Sequence, residues 1–276
     1  MWPGRRRGRA GSVGPMLIAT WNVNSLNARM PRVEDWLTTV QPDVLCMQET
    51  KMSDDQFPAM TFAAMGYEAV HHGHGRWNGV AILSRVGISD VVSGFDDGRE
   101  PDPDARVIWA TCGGVRVASV YVPNGRELDH DHYRYKLDWL GRLRNHLDRH
   151  HSPDELLVVL GDWNIAPDDR DVWKPEAFAG MTHVSDAERA ALSDVKAWGL
   201  VDTFRERFAD DGLFSYWDYR AGDFHQRRGM RIDYLLSSRA LAALNRSDLV
   251  DRNARKGTKP SDHAPVLGWF DVAAPA

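Results

Sequence analysis

Eight short apolar runs dense in β-branched residues recur along the chain, and this alternation restricts the fold more than any other feature. They cover 17–21, 44–47, 79–83, 106–111, 115–122, 156–160, 232–236 and 266–270. Runs of this length read as strands buried within a sheet. Between them, Met30, Val33, Trp36, Leu37 and Val40 recur at helical spacing. So do Tyr133, Leu137, Leu140, Leu143 and Leu147, and then Ala191, Leu192, Val195 and Trp198, each set lining one helix face. Gln41-Pro42-Asp43 breaks the first helix, His150-His151-Ser152-Pro153 ends the second, and Gly199 is placed as the C′ stop of the third. Gly113-Gly114 marks a hairpin. The pattern predicts an α/β fold of mixed sheets packed by helices. No Pro/Ser-rich linker divides residues 16–271, which are read as one domain.

Residues 1–15 differ in kind. Arg5, Arg6, Arg7 and Arg9 stand among Gly, Pro and Ser, with no acidic residue, so this segment is expected to be a disordered basic extension. Three readings fit it: an arm touching nucleic acid, a targeting extension, or an upstream translation start with Met16 as the natural one. The last is favoured because the strand and helix pattern begins abruptly at Leu17. No apolar run is long enough to span a membrane. The two cysteines, Cys46 and Cys112, lie inside apolar runs and read as buried thiols, which fits a reducing, cytoplasmic setting. Net charge is −5, and without the four arginines the balance is 30 basic to 39 acidic residues, or −9. Bulk attraction to nucleic acid is therefore excluded, and any such binding requires a local basic or metal-bearing face.

Polar residues interrupt the buried runs at five places: Asn22 and Asn24, Glu49, Asp162 and Asn164, Asp233, and Asp262 with His263. Burying a carboxylate or amide without partners is costly, so residues of this kind at strand ends need a structural or chemical reason. The strand ending in Trp21-Asn22 and the strand ending in Gly161-Asp162-Trp163-Asn164 echo one another. The echo predicts two sheets whose strand ends meet at one cleft.

In order, Thr20-Trp21-Asn22-Val23-Asn24, Gln48-Glu49-Thr50-Lys51, Tyr121-Val122-Pro123-Asn124, Gly161-Asp162-Trp163-Asn164, Arg231-Ile232-Asp233 and Ser261-Asp262-His263 resemble the motifs of the exonuclease III family of apurinic/apyrimidinic endonucleases. That family lies within the endonuclease/exonuclease/phosphatase superfamily, and the resemblance runs from about Leu17 to Phe270. It implies a four-layer α/β sandwich: two mixed β-sheets packed face to face, helices outside, and the active site at one edge.

Attack of water on a phosphodiester anion needs charge neutralisation, an activated nucleophile and help for the leaving oxygen. The resemblance assigns Glu49 as principal ligand of a hard cation, Mg²⁺ with Mn²⁺ as a substitute, with Asn22, Asn24 and Asp262 beside it. It implies that Asp162 activates or orients the attacking water, that Asn164 holds phosphate or water, and that Asp233 fixes the tautomer of a phosphate-binding His263. Tyr121 and Asn124 resemble the phosphate-contacting pair, and Lys51 is a phosphate or site-charge contact. Some relatives carry Asp where this chain has Asn24, which lowers the negative charge around the metal.

Substrate class rests on Ser215-Tyr216-Trp217-Asp218-Tyr219-Arg220 and Met230. In relatives the matching segments wall a pocket for a base-less deoxyribose, with Tyr216, Trp217 and Met230 as the wall here and Arg126 and Arg220 gripping the groove. The implied partner is double-stranded DNA with abasic sites or blocked 3′ ends, bound by a monomer that associates with the bacterial nucleoid during repair. A phosphatase or phosphodiesterase acting on inositol lipids, sphingomyelin or nucleotides shares the same core chemistry. A binding protein with a dead site would show broken catalytic positions, and none is broken.

Overall fold

The computed structural model describes residues 15–272, so the arginine-rich start lies outside the described residues apart from Pro15. One sheet holds β1 (Met16–Asn22), β2 (Val44–Gln48), β3 (Glu68–His72), β4 (Val80–Ser84), β11 (Asn245–Val250) and β12 (Val266–Phe270). Its strand order is β11-β12-β1-β2-β4-β3. The other holds β5 (Ser89–Ser93), β6 (Val107–Cys112), β7 (Val115–Tyr121), β8 (Leu157–Asp162), β9 (Leu200–Asp202) and β10 (Asp233–Ser238), in the order β5-β6-β7-β8-β10-β9. Each sheet has one parallel pair, β1 with β2 and β7 with β8, and is otherwise antiparallel.

The period-two alternation of the strands builds the layers. Ile18, Val44, Cys46 and Ile82 of one sheet meet Ile108, Ala110, Val117, Val158 and Leu160 of the other in a shared core. Their neighbours Leu17, Ala19, Trp21, Leu45 and Met47 face outward against α1 (Leu26–Val40), through Val33, Trp36 and Leu37. On the far side Trp109, Ala118, Val120 and Val159 pack against α3 (Asp131–His150) and α4 (Asp186–Lys196). A short helix, α2 (Ala59–Ala64), adds Phe62 to the α1 layer. The layers run helix, sheet, sheet, helix, as the resemblance implied. Cys46 and Cys112 sit unpaired in the inter-sheet core. Among the described residues no helix is long and apolar enough to cross a membrane.

Three details depart from the sequence reading. β3, β5, β9 and β11 were not among the eight runs, and they are the outermost strands of the two sheets. The helix expected from Ala191 begins five residues earlier, where Ser185 and Glu188 form a capping box. Gly199 is not at C′: α4 ends at Lys196 with Ala197 as cap, and Gly199 follows two residues later at φ 126°.

Arg231, at the entry to β10, is 1% exposed. Its Nε donates to Asp171 Oδ1 at 2.6 Å and an Nη to Asp202 Oδ2 at 2.8 Å, while Arg205 also binds Asp171. The cluster ties the turn at 169–171 to β9 and β10. Arg231→Met leaves two buried carboxylates short of a partner and is expected to cost about 3–5 kcal/mol of stability, read by calorimetry. Burial pushes the Asp171 carboxyl up, but Arg231 and Arg205 outweigh it and hold the group below its usual range. A depressed carboxylate stabilises the fold above its unfolded pKa, and that stability is lost as pH falls through the folded value. Acid unfolding of the wild type should therefore be steeper below about pH 4 than that of Arg231→Met, which has already lost part of this linkage.

Candidate active site

Strand register assembles the site. Asn22 lies opposite Gln48 in the parallel β1/β2 pair, so Asn22 and Glu49 emerge at the same sheet edge. In the second sheet Tyr121 lies opposite Asp162, and Asp162 opposite Asp233, placing all three in one row. The two edges are then joined by one side chain. Asn22 is fully buried, and its Nδ2 donates to Glu49 Oε1 at 2.8 Å and to Asp162 Oδ2 at 2.8 Å.

The loops leaving these strands turn through the left-handed region at Asn24 (φ 44°), Glu49 (52°), Lys51 (54°) and Asn164 (51°). Such positions cost on the order of 1–3 kcal/mol each when the residue is not glycine, and they gather where function over-determines the backbone. At Glu49 the turn is held by hydrogen bonds from Ser25 N to Glu49 O (2.7 Å) and Leu26 N to Thr50 O (3.0 Å), which tie the loop to the start of α1.

Glu49 is half-buried, with Lys51 Nζ 2.8 Å from its Oε2. Burial disfavours its charge, but Lys51 and Asn22 outweigh burial and keep the carboxyl below its usual range. Lys51 also donates to Asn24 Oδ1 (2.6 Å), and Asn24 Nδ2 donates to Asp262 Oδ1 (3.0 Å). Thus Asn24 links Lys51 and Asp262 directly.

His263 is buried, its Nδ1 2.8 Å from Asp233 Oδ2 and its Nε2 3.8 Å from Asp162 Oδ2. Burial works against the charged ring, but Asp233 and Asp162 prevail and lift it to about 10. Burial pushes Asp162 up to about 7, opposed by His263 and reinforced by Asp233 and Glu49. Asp162 Oδ1 accepts the Asn164 backbone N–H (2.9 Å), and Asn164 Nδ2 donates to Val122 O (2.9 Å). The Tyr121 ring lies 4.9 Å from the Arg106 guanidinium. Burial and the Glu49 and Asp162 charges push its hydroxyl well up, so the phenol stays protonated and available to donate.

Nearly all the residues selected from the sequence as catalytic or metal-binding stand in this one cluster. Glu49, Asp162 and His263 have ligand atoms within 4.8 Å of one another. His263 is a poor cation ligand, because a ring protonated on both nitrogens has no lone pair to offer. The remaining donors, Glu49, Asp162, Asp262 and the Asn24 amide, present oxygen, which fits a hard divalent cation. Four carboxylates, Glu49, Asp162, Asp233 and Asp262, against the His263 imidazolium and the Lys51 ammonium also leave an excess of negative charge that a cation would balance.

The substrate-side residues divide. Asn124, Arg126 and Arg220 are exposed, and Asn124 Nδ2 donates to Asn164 Oδ1 (3.2 Å). Tyr216 is half-buried with its ring 4.8 Å from that of His263. Met230 is 9% exposed and packs with Ala166, Val172, Ile232 and Tyr216. Trp217 does not form a pocket wall as expected. It is 2% exposed, packed edge-on against Phe224 in a cluster with Phe214 and Ala264, with Arg252 across its face. Its backbone N–H donates to Asp262 O (3.0 Å), so it supports the Asp262 loop from within. A Cβ at Gly229 would lie 2.6 Å from Trp217 Nε1, so this indole also requires glycine there.

The structure adds residues the sequence reading did not select. Ser215 Oγ donates to Asp233 Oδ2 (2.7 Å), and Ser261 Oγ donates to Asn22 O (2.6 Å). His183 Nε2 lies 3.2 Å from Asn124 Nδ2 and 3.1 Å from Asn164 Oδ1. Burial, then Lys136, lowers the His183 ring to about 3, so it is neutral. Ser215 and Ser261 did lie within quoted motifs, whereas an isolated His183 carries no local signal.

The profile of the Endonuclease/Exonuclease/phosphatase family matches residues 19–263. The chain belongs to this family. Exodeoxyribonuclease III of Haemophilus influenzae is 32% identical over 268 residues, covering 92% of this chain and 100% of the relative. An AP endonuclease from Archaeoglobus fulgidus superposes with TM-score 0.90 at 36% identity, over 93% of this chain and all of that one. A 3′ phosphatase from Neisseria, NExo, bound to product DNA hairpin, superposes with TM-score 0.89 at 40% identity and the same coverage. Like its endonuclease/exonuclease/phosphatase relatives, the chain is a hydrolase of nuclease type, and the family is metal-dependent.

Proposed function

We propose that this chain is a Mg²⁺-dependent DNA-repair nuclease, with Mn²⁺ as a working substitute, acting on double-stranded DNA in base excision repair. Its reactions are hydrolysis of the phosphodiester 5′ to an abasic site, 3′→5′ exonucleolytic cleavage and removal of 3′ blocking groups. The observation that carries this reading is the Asn22 amide, which holds a cation-binding carboxylate, Glu49, beside a water-activating carboxylate, Asp162.

Glu49, with Asp262 and Asn24, would hold the cation, which supplies charge neutralisation at the phosphate. Asp162 orients and deprotonates the attacking water, supported by Asn164. His263, charged and fixed by Asp233, donates from Nε2 to a phosphate oxygen, and the Tyr121 hydroxyl and Asn124 amide add neutral donors to the developing charge. Tyr216 and Met230 would line the sugar side, and Arg126 and Arg220, both exposed, would grip the DNA around the lesion. Two similarities, the 3′ phosphatase at 40% identity and the exodeoxyribonuclease at 32%, support a substantial share of 3′-end chemistry. Buried free thiols support a cytoplasmic location.

Product mapping decides among these activities. Duplexes carrying an abasic site, a recessed 3′-hydroxyl or a 3′-phosphate are incubated with Mg²⁺, Mn²⁺ or EDTA. We expect metal-dependent product from at least the 3′-end substrates, abolished by EDTA. Absence of product from all three in either metal would remove the assignment.

A further inference from the structure

The two amides on the phosphate side of the site, Asn124 and Asn164, stand on loops after β7 and β8, beyond the sheet ladder, joined to each other by one long hydrogen bond of 3.2 Å. Behind them lies a buried ion pair to which the mechanism above gives no part. Lys136 of α3 and Glu188 of α4 have no exposed side-chain surface. Lys136 Nζ donates to Asn164 O at 2.7 Å, to Asn124 O at 3.2 Å and to Glu188 Oε1, so all three of its protons are used. Glu188 Oε1 also accepts the His183 N–H (2.9 Å). Its Oε2 accepts from Ser185 N (3.1 Å) and Ser185 Oγ (2.6 Å), and Tyr133 OH lies 2.6 Å from that hydroxyl. Three loops, 122–126, 163–166 and 182–185, therefore converge on one ammonium and its carboxylate. Gly125 allows the approach: a Cβ there would sit 3.3 Å from Lys136 Cδ.

A buried ion pair contributes little net stability compared with apolar residues of similar volume, so stability is a weak reason for this one. Its distinctive property is geometric. Two backbone carbonyls converge on one point, which an apolar side chain would leave unsatisfied and mutually repelling.

We propose that Lys136, held by Glu188, is a positioning residue for phosphodiester hydrolysis: by binding both carbonyls it sets the spacing between the Asn124 and Asn164 amides. The inference rests on the functional reading above. Displacing such groups by about 1 Å costs up to 10²-fold in rate, so kcat should fall between tenfold and a hundredfold without them.

The test compares wild type with Lys136→Met, Lys136→Met/Glu188→Leu and Glu188→Gln on a 3′-recessed duplex, with Mn²⁺ affinity and Tm measured in parallel. The Lys136→Met variant should lose both Tm and kcat. The double variant should regain part of the lost Tm, because no buried charge is left unpaired although the two carbonyls stay unsatisfied, and yet keep the loss of kcat. Mn²⁺ affinity should stay at the wild-type value throughout, because Glu49 is held by other contacts. Glu188→Gln preserves shape while loosening the grip on Lys136, and its kcat should fall by about threefold to tenfold. If the double variant has wild-type kcat, or Glu188→Gln is unimpaired, the positioning role is overturned. Failure of the wild type to cut DNA at all would overturn the functional reading and this inference together.

Discussion

Asp162→Asn should reduce kcat for DNA hydrolysis by about 10³-fold while leaving the fold intact, because the change removes the group that takes the water's proton. The substitution is isosteric, and its single amide oxygen keeps the bond from Asn164 N, while Asn22 Nδ2 loses its acceptor at this position but keeps Glu49 Oε1. Stability in cation-free buffer should be little changed, because relief of charge repulsion offsets the one hydrogen bond lost. Asp162 is buried within reach of Asp233 and Glu49, so one of three like charges is removed from a site of low dielectric. The result pairs a large loss of rate with no loss of Tm, as expected where a site is organised for chemistry at the expense of stability. A kcat within tenfold of wild type would show that another group receives the proton. A Tm lower by several degrees would show instead that Asp162 supports the fold.

Glu49→Gln should shift the metal dependence of activity to higher concentration and lower kcat by about 10²–10³-fold even at saturating Mg²⁺. A neutral amide cannot replace the charge of the principal oxygen donor, and Lys51, 2.8 Å away, loses its ion pair and keeps only Asn24. Calorimetric titration with Mn²⁺ should show weaker binding in this variant and no change in Lys136→Met. EDTA should abolish wild-type turnover. Wild-type metal affinity in Glu49→Gln would move the ligand role to Asp262 or Asp162.

The core of the fold was legible because each of the eight runs lies inside a sheet, with apolar side chains on both faces. The four strands that escaped, β3, β5, β9 and β11, are the four sheet edges. They carry sequences such as Ser89–Ser93, which is exposed at every position, and Asn245–Val250, where only Asp248 is buried. An edge strand is held by hydrogen bonds to one neighbour and needs no apolar face, so periodicity does not reveal it. The same limit applies to Trp217. An aromatic in a pocket segment and an aromatic in the core read alike, and only packing against Phe224 and Arg252 distinguishes them. Lys136 was not among the residues read as the buried face of its helix, and its burial becomes visible only when Glu188, 52 residues later, is brought to it.

By itself the sequence marked the candidate site residues, because polar side chains at the ends of buried strands are costly and here recur in the order of the motifs they resemble. It also determined the strand ends on which they stand. Tertiary structure alone decided which of them meet and in what protonation state. Asn22 reaches Asp162 across 140 positions, His263 reaches Asp233 across 30, and the Trp21 indole reaches the His263 carbonyl across 242. Those contacts depend on the register of two sheets packed face to face. The charge on His263 and the depressed carboxyl of Glu49 follow from the neighbours and the burial that this packing creates, neither of which is present in the unfolded chain.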